Sequence, residues 1–81
     1  MDQGKILVTE DDESLRFVLQ KALEAEGYFV QTAANGETAR RLFGESHFDV
    51  SLMDIKLPDI DGLDLRKEFK ENGIDTAMIV M

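Results

Sequence analysis

The sequence predicts an α/β fold built as a doubly wound parallel sheet, and three observations carry that prediction. Short apolar runs of strand length alternate with amphipathic stretches of helix length, in the order strand–helix–strand–helix–strand–helix–strand. The strand runs are apolar without strict alternation, as in strands covered on both faces, the habit of parallel sheets. The transitions carry Gly, Pro, Asn or Asp where a turn or cap needs them. Parallel strands joined through helices then require right-handed crossovers.

The first strand is Lys5-Ile6-Leu7-Val8-Thr9, apolar and rich in β-branched residues. It runs into Glu10-Asp11-Asp12-Glu13, adjacent acids whose repulsion must be compensated. A helix start supplies part of that compensation: Asp12 or Ser14 can cap it, and acids in a first turn suit the helix dipole. Leu15, Val18, Leu19, Ala22 and Leu23 then form an apolar stripe at helical spacing, and Gly27 is placed to end the helix in a left-handed cap. Phe17 lies off the main stripe, where it covers a neighbouring element or meets a partner.

Residues 28–32 read as the second strand, with Phe29 and Val30 at its centre. Asn35-Gly36 is a cap and turn before a second helix whose narrow apolar face is Ala39, Leu42 and Phe43. Arg40 and Arg41 read as the solvated face of that helix, which residues 44–47 close. A third strand, with Val50, Leu52 and Met53 apolar, ends on the carboxylate Asp54. His47, the only histidine, precedes this strand at the far end of the sheet and reads as a surface or turn residue. After Asp54 comes a stiff loop: Pro58 disfavours helix at Leu57, and Gly62 closes the turn. A third helix over about 63–72 carries the pair Leu65 and Phe69 and stops at Asn72-Gly73; residues 77–81 are the fourth strand.

Composition bounds the function. The chain has 81 residues, a formal charge of −8, 43% hydrophobic and 32% charged residues. That is one small globular domain. The negative charge argues against direct nucleic-acid binding and favours cations or basic partners. Without cysteine there is neither a disulfide framework nor a thiolate metal site. No apolar run approaches spanning length and no signal-peptide pattern begins the chain, so no membrane partner and a cytoplasmic location are expected.

An acid at the carboxyl end of a buried strand sits where α/β sheets build their sites. In a doubly wound sheet of order 2-1-3-4, numbered along the chain, the first and third strands are neighbours about 4.8 Å apart. The acids after Thr9 and the acid at Asp54 then share one end of two adjacent strands. Crowded carboxylates raise one another's pKa unless a cation joins them, and hard oxygen ligands with room for water suit Mg²⁺. A carboxylate beside Mg²⁺ can act as a nucleophile toward a phosphoryl group.

Three separated features resemble the receiver domain of two-component response regulators: Ile6-Leu7-Val8-Thr9-Glu10-Asp11-Asp12-Glu13, then Asp54, then Leu57-Pro58-Asp59-Ile60-Asp61-Gly62. The match runs through the whole chain in order and spacing. It implies a flavodoxin-like (CheY-like) sheet of order 2-1-3-4 and a Mg²⁺-dependent phosphorelay in signal transduction. In that relay Asp54 is the phosphoacceptor for a sensor histidine kinase, catalysing its own modification without classical turnover. By the same resemblance Glu10 and Asp11 are the acidic pair, Asp11 ligating Mg²⁺ directly and Glu10 through water, and Lys56 supplies a backbone carbonyl. The pair Glu10/Asp11 is preferred to Asp11/Asp12 because it directly follows the strand, while Asp12 falls where the helix cap belongs.

Thr9 stands where the family often has valine. The family has five strand–helix units, whereas these residues stop in the fourth strand. A hydroxyl residue just past that strand, a lysine after the fifth strand and the last helices are not among them. The expectation is therefore a single receiver domain over 1–81, C-terminally incomplete, that self-associates through the bare edge of its fourth strand. The alternative is a receiver fragment acting as a non-phosphorylated interaction or oligomerisation module. A calcium loop over Asp59, Asp61 and Glu68 would put Leu57 in the first ligand position, followed by Pro58, and is disfavoured. A haloacid-type phosphatase would want an acid where Lys56 stands.

Overall fold

The apolar runs assemble into one sheet. In the computed structural model, which describes residues 4–81, the elements are β1 (Lys5–Thr9), α1 (Glu13–Ala25), β2 (Phe29–Ala33), α2 (Gly36–Glu45), β3 (Val50–Met53), α3 (Gly62–Glu71) and β4 (Ala77–Val80). The strands pair in parallel in the order β2-β1-β3-β4, as the sequence predicts. Several boundaries shift by a residue: β2 begins at Phe29, α3 ends at Glu71 and β4 ends at Val80. β2 runs on to Ala33, and α3 begins at Gly62 because Asp61 caps it, accepting from the Leu63 N–H at 2.8 Å.

Each helix start is fixed by a short polar side chain. The Asp12 carboxylate accepts from the Leu15 amide at 2.9 Å, and the Asn35 side chain accepts from the Thr38 amide at 2.8 Å. After α1 and α3 the chain reverses through Gly27 and Gly73, at φ of 95° and 79°, a region that favours glycine.

The two faces of the sheet are unequally covered. Register aligns Leu7 with Ser51 and Ser51 with Met78, so these side chains share a face. On that side Leu7, Met53 and Met78 pack with Ala39 and Leu42 of α2 and with Leu65 and Phe69 of α3 to form the main core. Phe43 joins it, its ring 5.3 Å from that of Phe48 and 4.5 Å from that of Phe69. The crossovers β1–β2 and β2–β3 run in opposite directions, so α1 lies on the other face. It packs on β1 and β2, over the side that carries Ile6 and Val8.

The face that carries α1 is thinly covered. The apolar stripe of α1 contributes no buried residue: Leu15 is 45% and Val18 59% exposed, while Leu19 and Leu23 are half-buried. The spacing was helical as read. However, α1 is alone on its face among the described residues, so the stripe has sheet beneath it and no second helix beside it. Ile79 of β4, on the same face, is 53% exposed for the same reason. Among the described residues no helix is long and apolar enough to cross a membrane.

Candidate metal centre

The parallel register sets Thr9 opposite Met53, so the residues that follow, Glu10 and Asp54, leave adjacent strands at one end of the sheet. The ladder continues one step past each strand. The Glu10 amide donates to the Ala33 carbonyl at 2.9 Å and the Asp54 amide to the Thr9 carbonyl at 2.9 Å. Both carboxylates thus stand on anchored backbone. Glu10, Asp11 and Asp54 each offer an oxygen, and these three oxygens lie within 4.8 Å of one another; Glu10 is buried, Asp54 half-buried and Asp11 exposed.

The cluster is electrostatically costly. Burial pushes the Glu10 carboxyl above the ordinary glutamate range, and the nearby charges of Asp54 and Asp11 push the same way. The Asp12 amide, donating to Glu10 Oε2 at 3.0 Å, opposes the shift. Arg16, one turn into α1, donates from Nη1 to the carbonyls of Glu10 at 3.0 Å and Asp11 at 3.4 Å. It holds the backbone of the acidic pair and leaves the carboxylates free. Only its spacing of six residues from Glu10 marks Arg16 in the sequence.

Asp12 is spent as the cap of α1, which separates it from Glu10 and Asp11 as expected. The third expected region, the loop after Asp54, folds back on itself. The Lys56 amide donates to Asp54 Oδ1 at 3.3 Å, the backbones of Lys56 and Asp61 form an isolated antiparallel β-bridge, and the Gly62 amide donates to the Ile55 carbonyl at 2.6 Å. Leu57 is buried in the core beneath. Gly62 is required by contact: a Cβ there would overlap the Asp54 carbonyl oxygen. The calcium-loop reading fails on side-chain use. Asp59 accepts from the amides of Gly36 and Glu37, Asp61 caps α3, and Glu68 pairs with Arg40. Arg40, read as a solvated residue, forms a two-pronged ion pair at 2.7 and 3.0 Å that ties α2 to α3. No local pattern announces a partner 28 residues away.

Three convergent carboxylates, one of them destabilised as an anion, are a donor set that fits a hard divalent cation such as Mg²⁺. Residues 6–81 match the family model described as the response regulator receiver domain. The chain belongs to that family. This receiver domain is 38% identical over 78 residues to the regulatory protein AtoC of Escherichia coli, covering 96% of this chain and 17% of that protein. It is 35% identical over 81 residues to the DNA-binding transcriptional regulator NtrC of Proteus hauseri, again spanning 17% of it. The receiver thus corresponds to about one sixth of the length of these regulators. Its fold matches the response regulator TrrA of Thermotoga maritima in complex with Mg(2+)-BeF at a TM-score of 0.88 and 36% identity, covering 94% of this chain and 66% of that one. TrrA in complex with the histidine kinase ThkA matches at a TM-score of 0.87 and 36% identity, over the same shares. The four-stranded parallel sheet of order β2-β1-β3-β4 with its three helices is the arrangement these structures share.

Proposed function

We propose that this receiver domain accepts a phosphoryl group on Asp54 from a sensor histidine kinase, with Mg²⁺ held by Glu10, Asp11, Asp54 and the Lys56 carbonyl. The observation that carries the reading is the convergence of the three carboxylate oxygens within 4.8 Å, on the backbone of two adjacent strands. The similarity to TrrA, whose structures are described with Mg(2+)-BeF and with a histidine kinase, supports both the ion and the partner. A cytoplasmic place in a two-component relay follows from the same reading.

The chemistry falls to Asp54, half-buried but reachable. One of its oxygens attacks phosphorus while the bond from phosphorus to the donor nitrogen breaks, and that electron pair returns to the donor. The Lys56 amide fixes the Asp54 rotamer by donating to Oδ1. Arg16 holds the Glu10 carbonyl and the Asp12 amide holds Oε2 of Glu10, which would keep the acidic pair in place for the ion. Bound Mg²⁺ would supply positive charge to the phosphoryl oxygens. Intact-mass measurement after acetyl phosphate and Mg²⁺ tests the proposal. We expect one added phosphoryl group on the wild type and none on Asp54→Asn; an equal gain on both would move the acceptor elsewhere.

A second reading, an interaction module, has its own observation. β4 pairs only with β3 among the described residues, and Ile79 on it is 53% exposed on the face where α1 packs over β1 and β2. A polypeptide of these 81 residues is therefore proposed to self-associate through the β4 edge. Sedimentation equilibrium over a concentration range tests this, and a monomer throughout would reject it.

A further inference from the structure

We propose that Asp59 is a positioning residue for the Asp54 site: it hangs the β3–α3 loop on the first turn of α2 and so sets where the Lys56 backbone stands against the three carboxylates. The Asp59 carboxylate is bidentate, Oδ1 accepting from the Gly36 amide at 2.8 Å and Oδ2 from the Glu37 amide at 2.9 Å. Asn35, the cap of α2, takes the Thr38 amide. The first two N–H groups of α2 are thus satisfied from a loop 22 and 23 residues further along the chain. A helix N-terminus and a carboxylate attract each other, so the contact has charge as well as geometry.

The fit at this contact is close. Gly36 is buried, and a Cβ there would lie 2.5 Å from Ile60 Cγ2 and 3.2 Å from Asp59 Oδ1. The loop approaches the helix only because that position carries a hydrogen. On its other side α2 is bound to α3 by Arg40 and Glu68, and α3 begins where the loop ends. The contacts therefore close a ring from loop to α2, from α2 to α3, and back to the loop, with Asp54 and Lys56 in its first segment.

The other restraints on the loop act differently. The Gly62–Ile55 hydrogen bond and the Lys56–Asp61 bridge join its two limbs to each other. Leu57 and Ile60 hold it by apolar contacts, which resist withdrawal but not sliding. Asp59 supplies the directed bonds that tie the loop tip to a separate element.

The rate arm of the test rests on Asp54 being the phosphoacceptor; the metal arm does not. Amide spectra of the 81-residue chain are followed during Mg²⁺ titration, for the wild type, Asp59→Ala, Asp59→Asn and Gly36→Ala. In the wild type the Gly36 and Glu37 amides should shift together with those of residues 9–12 and 54–57. Asp59→Ala should weaken Mg²⁺ binding about tenfold and slow modification by acetyl phosphate comparably, the usual range for a residue that orients ligands. Asp59→Asn keeps one acceptor and should fall between. Gly36→Ala, which pushes the loop off from the helix side, should reproduce the loss with Asp59 intact. Circular dichroism at the assay temperature shows that each variant is folded. Wild-type affinity and rate in folded Asp59→Ala or Asp59→Asn would overturn the proposal, as would Gly36 and Glu37 amides indifferent to saturating Mg²⁺. A wild type that binds Mg²⁺ but takes no phosphoryl group would instead overturn the phosphoacceptor reading and leave the metal arm to decide this one.

Discussion

Two glycine-to-alanine changes in this chain should move stability in opposite directions. A Cβ on Gly62 overlaps the Asp54 carbonyl oxygen and comes 2.9 Å from Ile55 Cα and 3.0 Å from Asp54 C. All three are backbone atoms of the strand end that carries the phosphoacceptor candidate, so no side chain can swing aside. Overpacking of this kind costs about 1–3 kcal/mol, and rigid neighbours put Gly62→Ala near the upper end, about 3 kcal/mol. Gly44, by contrast, lies in the last turn of α2 with nothing within 4 Å of a new Cβ and without a positive φ. There alanine narrows the unfolded ensemble and should stabilise by about 0.4–1 kcal/mol. In a domain of this size each kcal/mol moves Tm by about 4–8 °C. Gly62→Ala should therefore lower Tm by about 12–24 °C while Gly44→Ala raises it by a few degrees. Thermal and urea unfolding at low protein concentration measure both. A Gly62→Ala variant within about 0.5 kcal/mol of the wild type would refute the close approach of the loop to Asp54.

Other consequences can be measured on the same samples. Thr9 and Ser51 are fully buried and their hydroxyls have no hydrogen-bond partner. Thr9→Val, which keeps the shape, should leave stability unchanged or raise it by up to about 1 kcal/mol, and urea unfolding showing a larger loss would mean the hydroxyl is satisfied in solution. Glu10→Gln should stabilise the metal-free domain, because a carboxyl held above its ordinary range by burial costs stability once pH rises past that range. The same change should weaken Mg²⁺ binding, and calorimetry on one preparation reads both effects. The amides of Gly36 and Glu37 hold the Asp59 carboxyl below the usual aspartate range, so its contribution is full above about pH 4 and is lost as pH falls through the lowered value. Stability measured from pH 6 downward should fall less steeply in Asp59→Asn than in the wild type; parallel curves would reject that assignment.

Much of this domain was legible because its signals are local. Strand runs, caps such as Asp12 and Asn35, and stops such as Gly27 are written within a few residues of the structure they cause. Glu10, Asp11 and Asp54 could be brought together from topology alone, since a parallel register aligns strand ends without any knowledge of side chains. What the sequence hid is long-range and charged. Arg40 looked like a solvated residue because its partner Glu68 is 28 positions away, and the role of Asp59 was not legible because the amides it satisfies precede it by 22 and 23. The stripe of α1 shows a further limit: periodicity reports which face is apolar, while burial depends on what else covers that face. Leu15 and Val18 have the right spacing and remain exposed.

Asp54 is proposed to carry the phosphoryl group, with the carboxylates beside it making this depend on Mg²⁺. Borohydride reduction converts an aspartyl phosphate to homoserine, so peptide sequencing by tandem mass spectrometry reads the acceptor directly. After acetyl phosphate and Mg²⁺, homoserine should appear at position 54 alone, and chelation of the metal should remove it. Homoserine at Asp11, Asp12 or Asp59, or an unchanged yield at position 54 without metal, would contradict the account.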